Sequence, residues 1–400
     1  MASRAPSPLE ALAAAVQELR PKGFRDLYLE RVADTVWSLV GGAVVARHTL
    51  LREGAAVRFP GSLRSSDGAT RIILAELLGV PGRRLPPLTF PPFPPAPPLE
   101  DLPAETLRAV QTVRWRWRWA ALVNLRSATE LFRPQLCELT FDDGFRILST
   151  WPPPPTVGSH EPPLPKGPLP PSGRARVLLA PAAAAVLLHE GVGHLLEGDL
   201  LSTQHRPLVT LGAPLADAAL TVVDDPTRCD LPGGFSADDE GIPARRRLLV
   251  AGGVVVGLLA DTETASHLGV AAGSARRASV HSWPRPRISN LVLETWQTPE
   301  TPLRHEADVE VESVRSGSLV AQSGHVRLAV RRAWRLRRGQ RVQVLPPFLL
   351  TGSIVDALQR LRLAGPAAAS GEPGWCGKGG EVVPVGAVTP WLVTEGLDVR

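Results

Sequence analysis

Apolar residues recur at helical spacing near the start of the chain. Leu9, Leu12, Val16 and Leu19 share one stripe over residues 8–20, and Pro21-Lys22-Gly23 ends the run. Strand character follows at Arg25–Val32, Trp37–Arg47 and Ala55–Phe59, with turn residues between. Glu105–Val110 predicts the opening of another helix. Arg114-Trp115-Arg116-Trp117-Arg118-Trp119 alternates strictly, which sets three Trp on one face of a strand and three Arg on the other. A half-buried strand is expected there; one strand is too little for a nucleic-acid stacking platform or a membrane-surface segment.

Beyond Pro171 the pattern changes. Val177–Ala180 leads into Pro181 and a helix over Ala182–Leu196, and Pro is well tolerated in a first helical turn. The rest reads mainly as strands: Leu220–Val223, Leu248–Ala260, Leu291–Glu294 and a hairpin-like region over 308–345. In that region an antiparallel register pairing Glu312 with Arg327 also pairs Asp308 with Arg331, so charges meet across strands. Two proline-rich stretches, Leu85–Pro98 and Trp151–Pro171, favour extended backbone and read as spacers. The fold class is α+β: a reduced N-terminal α/β domain over 1–150, a proline-rich linker over 151–172 and a β-rich C-terminal domain over 173–400 that carries the candidate metal helix.

With 44% apolar and 21% charged residues in 400, the chain has an ordinary globular composition. The net charge of +5 comes with only three lysines among 44 basic residues. The arginines are spread along the chain, whereas a nucleic-acid footprint is clustered, so no nucleic-acid partner is expected. Three widely spaced cysteines make no disulfide framework and fit a reducing compartment. No apolar run reaches the ~20 residues that span a bilayer. The Ala-rich start, interrupted by Glu10, Gln17 and Glu18, makes a poor signal peptide. The expectation is a soluble, cytoplasmic protein with no membrane partner.

The chemistry concentrates in His189-Glu190-Gly191-Val192-Gly193-His194, followed by Leu195-Leu196-Glu197-Gly198-Asp199. Two histidines with a glutamate next to the first suit zinc and a general base. At ~100° per residue, positions four apart nearly superpose and positions five apart differ by ~140°. Both imidazoles therefore reach one ion only if the helix widens or ends between them. A π-bulge supplies the extra residue. Gly191 and Gly193, each costing a regular helix ~1 kcal/mol relative to Ala, make the distortion cheap. Taken alone, the spacing also fits one core and one surface histidine.

The run His189–Asp199 resembles the metal-binding helix of the TldD/PmbA family of zinc metallopeptidases, with Gly191 where the family usually has Ala. Further blocks resemble the family in the same order. They are Val222-Val223-Asp224-Asp225, Asp238-Asp239-Glu240-Gly241, Gly257–Asp261, Pro286-Arg287-Ile288-Ser289-Asn290, Cys376-Gly377-Lys378 and Pro384-Val385-Gly386. The resemblance implies Cys376 as a third Zn2+ ligand beside His189 and His194, with Glu190 as catalytic base and one position left for water. It implies extended or unfolded peptides as substrates, drawn into a cavity between subunits. It also implies a homodimer, or a heterodimer with a paralogue that lacks the metal ligands. Glu197 and Asp199 are candidates either to hold the ligand imidazoles or to cap the helix end. Arg287 and Asn290 are candidates to hold peptide backbone, Lys378 to favour a Cys376 thiolate. The acidic turns at Asp224, Asp225, Asp238, Asp239 and Glu240 read as turn and register residues rather than calcium ligands. The metal motif arrives early in the chain, which leaves open the contacts that an N-terminal region would build. Two rivals stand beside the peptidase: a non-catalytic scaffold subunit that completes a paralogue's cavity, and a zinc hydrolase of non-peptide substrates.

Overall fold

The structure is a computed structural model that describes residues 6–82, 85–86, 89–152, 168–170, 172–203, 207–294 and 303–400. Helix α1 (Pro8–Leu19) starts from a reciprocal cap in which Ser7 Oγ accepts from Glu10 N and the Glu10 carboxylate accepts from Ser7 N. Strands β1 (Asp26–Val40) and β2 (Ala43–Phe59) form one long antiparallel hairpin instead of three short strands. Its turn is Gly41-Gly42, at φ 57° and 86°, inside the stretch Trp37–Arg47 that alternation alone treats as continuous. There follow β3 (Ser62–Asp67), α2 (Arg71–Leu78), α3 (Ala104–Ala109), β4 (Val110–Asn124), β5 (Ala128–Leu131), β6 (Gln135–Phe141) and β7 (Arg146–Trp151). The strands make a seven-stranded sheet in the order β3-β2-β1-β4-β6-β7, with β5 on β4, and every pair is antiparallel.

The Arg-Trp repeat is the half-buried centre of this sheet. Trp115 is buried beside Leu139 and Phe141. Trp117 and Trp119 meet Phe93 and Phe90 edge-on, with ring centroids 6.0 and 5.6 Å apart. The first proline-rich stretch therefore covers the Trp face and is more than a spacer. Most of the second, residues 153–167 and 171, lies outside the described residues. On the other face Arg114 and Arg116 pair with Asp34, and Arg118 pairs with Glu30.

The second sheet is larger. Strands β8 (Gly173–Arg174) and β9 (Val177–Leu179) lead into α4 (Pro181–Leu188). Then come α5 (Gly198–Thr203), β10 (Thr221–Asp224), β11 (Arg247–Ala251), β12 (Val254–Val255), α6 (Thr262–Leu268), β13 (Ala275–Arg276), β14 (Arg285–Pro286), β15 (Asn290–Glu294) and α7 (Leu303–Glu306). The last elements are β16 (Val309–Val320), β17 (His325–Arg337), β18 (Gln340–Leu345), β19 (Phe348–Ser353), α8 (Ile354–Gln359), β20 (Arg362–Lys378), β21 (Glu381–Thr394) and β22 (Leu397–Val399). Strand order is β12-β11-β10-β15-β21-β9-β16-β17-β19-β22-β8, with β18 on β17 and β20 on β21; β13 and β14 pair separately. Helix α4 packs on β16, β20 and β21, and its apolar residues join the largest core cluster.

Two expectations fail here. Leu248–Ala260 is not one strand: it turns at Gly252-Gly253, and past Val255 only Leu259 makes a lone bridge, to Glu197. The register of β16 on β17 is also different, with Ser318 opposite Arg327 and Ser313 opposite Arg332. Irregular pairing between Val311 and Ser316 and the closing pair Val320–His325 set this register. The charges find other partners: Glu310 takes Arg304 and Arg341, Glu312 accepts from Trp334 Nε1, and Arg331 meets Asp143. Among the described residues no helix is long and apolar enough to cross a membrane.

Candidate metal centre

Helix α4 is buried from Ala183 to Leu188, as a helix that is apolar all round must be. It widens into a π turn over His189–Gly193 and tightens into a 3-10 turn over His194–Leu196. The extra residue brings the two imidazoles together, ring centroids 4.7 Å apart and planes at 82°. This is the distortion that the five-residue spacing predicts. The glycines also have a packing reason that local pattern does not show. A Cβ on Gly191 falls 2.8 Å from Ile354 Cδ1, and one on Gly193 falls 2.3 Å from Ile288 Cδ1. The turn seats against α8 and the β14–β15 connection only without those side chains.

Cys376 arrives on β20, which pairs with β21 through Cys376–Val383. The candidate ligand atoms of His189, His194 and Cys376 all lie within 4.8 Å of one another. Cys376 Sγ is 3.6 Å from His194 Nε2. Burial opposes a Cys376 thiolate, but the His189 and His194 imidazoles beside it hold the thiol well below its ordinary range. Lys378 is not what does this: its ammonium is engaged elsewhere. Burial likewise opposes a charged His194, yet Glu197 and Cys376 hold it well above the ordinary value. Glu190 is buried and pushed up by that burial, against the pull of His189 and His194.

Behind the imidazoles stands Glu197, fully buried. Its Oε2 accepts from His194 Nδ1 at 3.0 Å and from Lys378 Nζ at 2.9 Å. His194 and Lys378 overcome its burial and hold its carboxyl down at about 2. Lys378 Nζ also donates to Asp199 Oδ1 at 2.7 Å and to Pro286 O at 3.2 Å. One ammonium thus ties β20 to the end of the metal helix. With Nδ1 held by Glu197, His194 presents Nε2 toward Cys376. His189 Nδ1 is buried with no hydrogen-bond partner among the described residues. Two imidazoles and a thiolate with their ligand atoms this close, one ring carrying an unpartnered nitrogen, fit a tetrahedral zinc site with one position open.

The structure does not bring Arg287 and Asn290 to this cavity. Arg287 is buried, and its Nη2 donates to Cys376 O, bracing the cysteine from behind. Asn290 holds Gly233 N and the carbonyls of Asp225 and Arg228. The acidic turns are structural: Asp224 holds Ser289, Asp238 accepts from three backbone N–H groups, and Asp239 pairs with Arg133.

His189, Glu190 and His194 line a cavity of about 700 Å³. Its other walls are segments that no local motif announces: Gly144–Arg146 from the first sheet, Val314–Leu319 of β16, and Trp375. Gly317 faces the glutamate so closely that a Cβ there falls 2.7 Å from Glu190 Cγ. Strand β16 pairs with β9 only through Val309–Val311. Among the described residues its edge over Val314–Val320 has no strand partner on that side.

Residues 172–400 match the family model described as the PmbA/TldA metallopeptidase C-terminal domain. A protein of Archaeoglobus fulgidus named Metalloprotease is 30% identical over 224 residues, which are 55% of this chain and 52% of that protein. A Metalloprotease TldD homolog of Buchnera aphidicola is 29% identical over 57% of this chain and 48% of its own length. A Zinc metalloprotease TldD homolog of Saccharolobus solfataricus is 24% identical over 58% of this chain and 53% of its own length. The chain spans about half the length of the curated relatives it matches. The crystal structure of TldE from Thermococcus kodakarensis superposes with a TM-score of 0.71 at 16% identity, covering 98% of this chain and 100% of that one, a likeness of fold. Because the matched region takes in the whole large sheet together with the His189–Asp199 turn and the Cys376 hairpin, the chain belongs to the PmbA/TldD metallopeptidase family.

Proposed function

We propose that this chain is a zinc-dependent peptidase acting on extended or unfolded peptides, with His189, His194 and Cys376 holding the metal and Glu190 as general base. The observation that carries the reading is the convergence of three ligand atoms within 4.8 Å beside a buried carboxyl on a cavity wall. Zinc, when bound there, supplies Lewis acidity. Glu190 takes a proton from the attacking water and returns it to the leaving amine. Its raised pKa suits a group that must do both. Glu197 and Lys378 keep the His194 ring oriented, and Gly317 leaves the space in which the Glu190 side chain lies.

The substrate class is supported by the edge of β16. An extended peptide laid along Val314–Val320 gains main-chain hydrogen bonds whatever its sequence, and its carbonyls come to lie beside Glu190. Dimerisation, with a second copy or a paralogue, is supported at the far end of the first sheet. There, among the described residues, β3 pairs only with Ala55–Phe59, while Val44, Val45, Leu50 and Leu51 of β2 are exposed.

The test is cleavage of an unstructured peptide by the purified chain, with zinc measured on the same sample. Activity is expected with about one zinc per chain, lost with a chelator and restored by zinc. A metal-loaded protein that cleaves no unstructured peptide, alone or with a paralogue, overturns the reading. Light scattering at twice the 42.8 kDa chain mass, or a mixed complex with a paralogue, is expected; a fully active monomer removes the dimer.

A further inference from the structure

Away from the metal centre, the arginine face of the first sheet meets the loops of the second and closes a small pocket of about 50 Å³. Glu30, Arg52, Arg116 and Arg118 line it from the first sheet, Arg133 from the β5–β6 connection, and Arg276 from β13. The arginines are not all answered. Arg118 pairs with Glu30, Arg116 with Asp34 and Arg133 with Asp239. Arg52 and Arg276 make no ion pair among the described residues, and the lining sets five arginines against one carboxylate, Glu30.

Arg276 is the more telling of the two. It is 5% exposed, its Nη1 donates to Ile288 O at 2.6 Å, and its guanidinium lies over the Phe235 ring at 5.7 Å. A carbonyl and a ring do not neutralise a buried cation, and an uncompensated buried charge is costly. Burial, with Arg133 and Arg287, outweighs the pull of Asp239 and Asp224 and pushes its pKa down to about 9. Arg116 Nε is also buried with no acceptor. Both residues line the pocket. The space is small, enough for a small ion and too tight for a larger ligand. Guanidinium groups favour oxyanions, which they grip through paired N–H donors.

We propose that this pocket is an anion site for a small tetrahedral oxyanion, phosphate or sulfate, and that the bound ion fastens the two sheets to each other. The ion supplies negative charge beside Arg52 and Arg276 and an acceptor for Arg116 Nε. It lies between Arg52 of β2 and Arg276 of β13, so its binding adds a contact that only the assembled sheets offer. Trp375 lines both this pocket and the cavity of the metal centre, but none of the candidate ligands does.

The experiment uses the full chain near neutral pH. Calorimetric titration with sodium phosphate, and thermal unfolding in phosphate against sodium chloride at equal ionic strength, are expected to show saturable binding and a matching rise in Tm. Arg276→Met and Arg52→Met are each expected to weaken phosphate binding at least about 10-fold. Arg47→Met, on the same strand but outside the pocket, leaves it unchanged. If Arg276→Met does not fold, Arg52→Met decides, because that side chain is exposed. Phosphate acting equally on parent and Arg52→Met shows only the general effect of an excluded salt and overturns the site. So does an absence of saturable binding, or acetate binding more tightly than phosphate. Removal of zinc leaves these readouts in place, so failure of the anion site and failure of the peptidase reading are told apart.

Discussion

Cys137 and Cys376 are buried to the same degree, each 1% exposed, and both lie on strands. Cys137 packs among Trp115, Leu139 and Phe141, where burial and the neighbouring Glu138 push its thiol up to about 12. Cys376 meets the same desolvation, yet two imidazoles pull it the opposite way. Burial alone makes a cysteine inert; what marks one as a candidate ligand is the company it is buried with. The contrast extends to the surroundings. In the seam between the sheets Asp26, Glu30 and Asp239 each meet an arginine. On the metal side, His189 Nδ1 and Glu197 Oε1 are left without partners. The seam has orphans too, at Arg116 Nε and on Arg277, so what sets the other side apart is their chemistry: a ring nitrogen and a carboxylate oxygen beside a thiol.

The sharpest way to break this contrast is at Glu190. Glu190→Gln is expected to retain zinc and lose hydrolysis by ~10²–10⁴-fold, read from peptide cleavage and metal analysis together. A variant that keeps both would remove the carboxylate from the chemistry. Next, Cys376→Ala should lower zinc occupancy, because two histidines leave the site a ligand short, whereas Cys137→Ala should leave it unchanged. In the parent protein a chelator should speed alkylation of Cys376 and not of Cys137, read for each cysteine by mass spectrometry.

The seam offers the complementary test. Asp239→Asn leaves Arg133 without its carboxylate and is expected to cost about 3–5 kcal/mol in denaturant unfolding with zinc content unaltered. Burial raises the Asp239 carboxyl, but Arg133, Arg118 and Arg277 around it bring it below its ordinary value. Its contribution to stability is therefore present above about pH 4 and lost as pH falls from there toward the folded-state value. Acid unfolding of the Asn variant should lack that part of the pH dependence; an identical acid limb would show that Asp239 carries none of it. The smallest effect is expected at Lys378. Lys378→Met should weaken zinc binding by ~10–100-fold, as loss of a group behind a ligand does. Undiminished affinity would mean that Glu197 orients His194 unaided.

Much of the candidate centre's geometry was legible because its signals are local. Two histidines five apart in an Ala- and Leu-rich helix conflict with a regular turn, and the π turn at His189–Gly193 resolves the conflict. The reason for Gly191 and Gly193 was only half visible, since Ile354 and Ile288 reach them from distant elements. The cavity walls at Gly144–Arg146 and Val314–Leu319 were not legible at all; they are ordinary strand-end sequences that only pairing assembles. Errors in the fold share one cause. Alternation marks strand character but not where a strand turns, so Gly41-Gly42 was lost inside one strand. Nor does it mark where pairing is irregular, so the partners of Glu312 and Asp308 were misplaced. Arg287 and Asn290 read as substrate contacts because polar residues in a motif do not reveal whether their donors are already spent on backbone.

The position of β21 has a consequence for the living chain. This strand lies between β15 and β9, near the middle of the large sheet, and carries β20 with Cys376 on its flank. A chain growing from the ribosome presents His189, Glu190 and His194 long before the strand that completes the sheet around them exists. Sheets closed by late, distant partners form slowly, because loop closure must precede its reward. Cys376 is made earlier, but until residues 381–394 emerge β20 lacks the strand that sets it beside the histidines. The order of synthesis thus withholds the assembled cluster of His189, His194 and Cys376 from the nascent chain until its last strands are made.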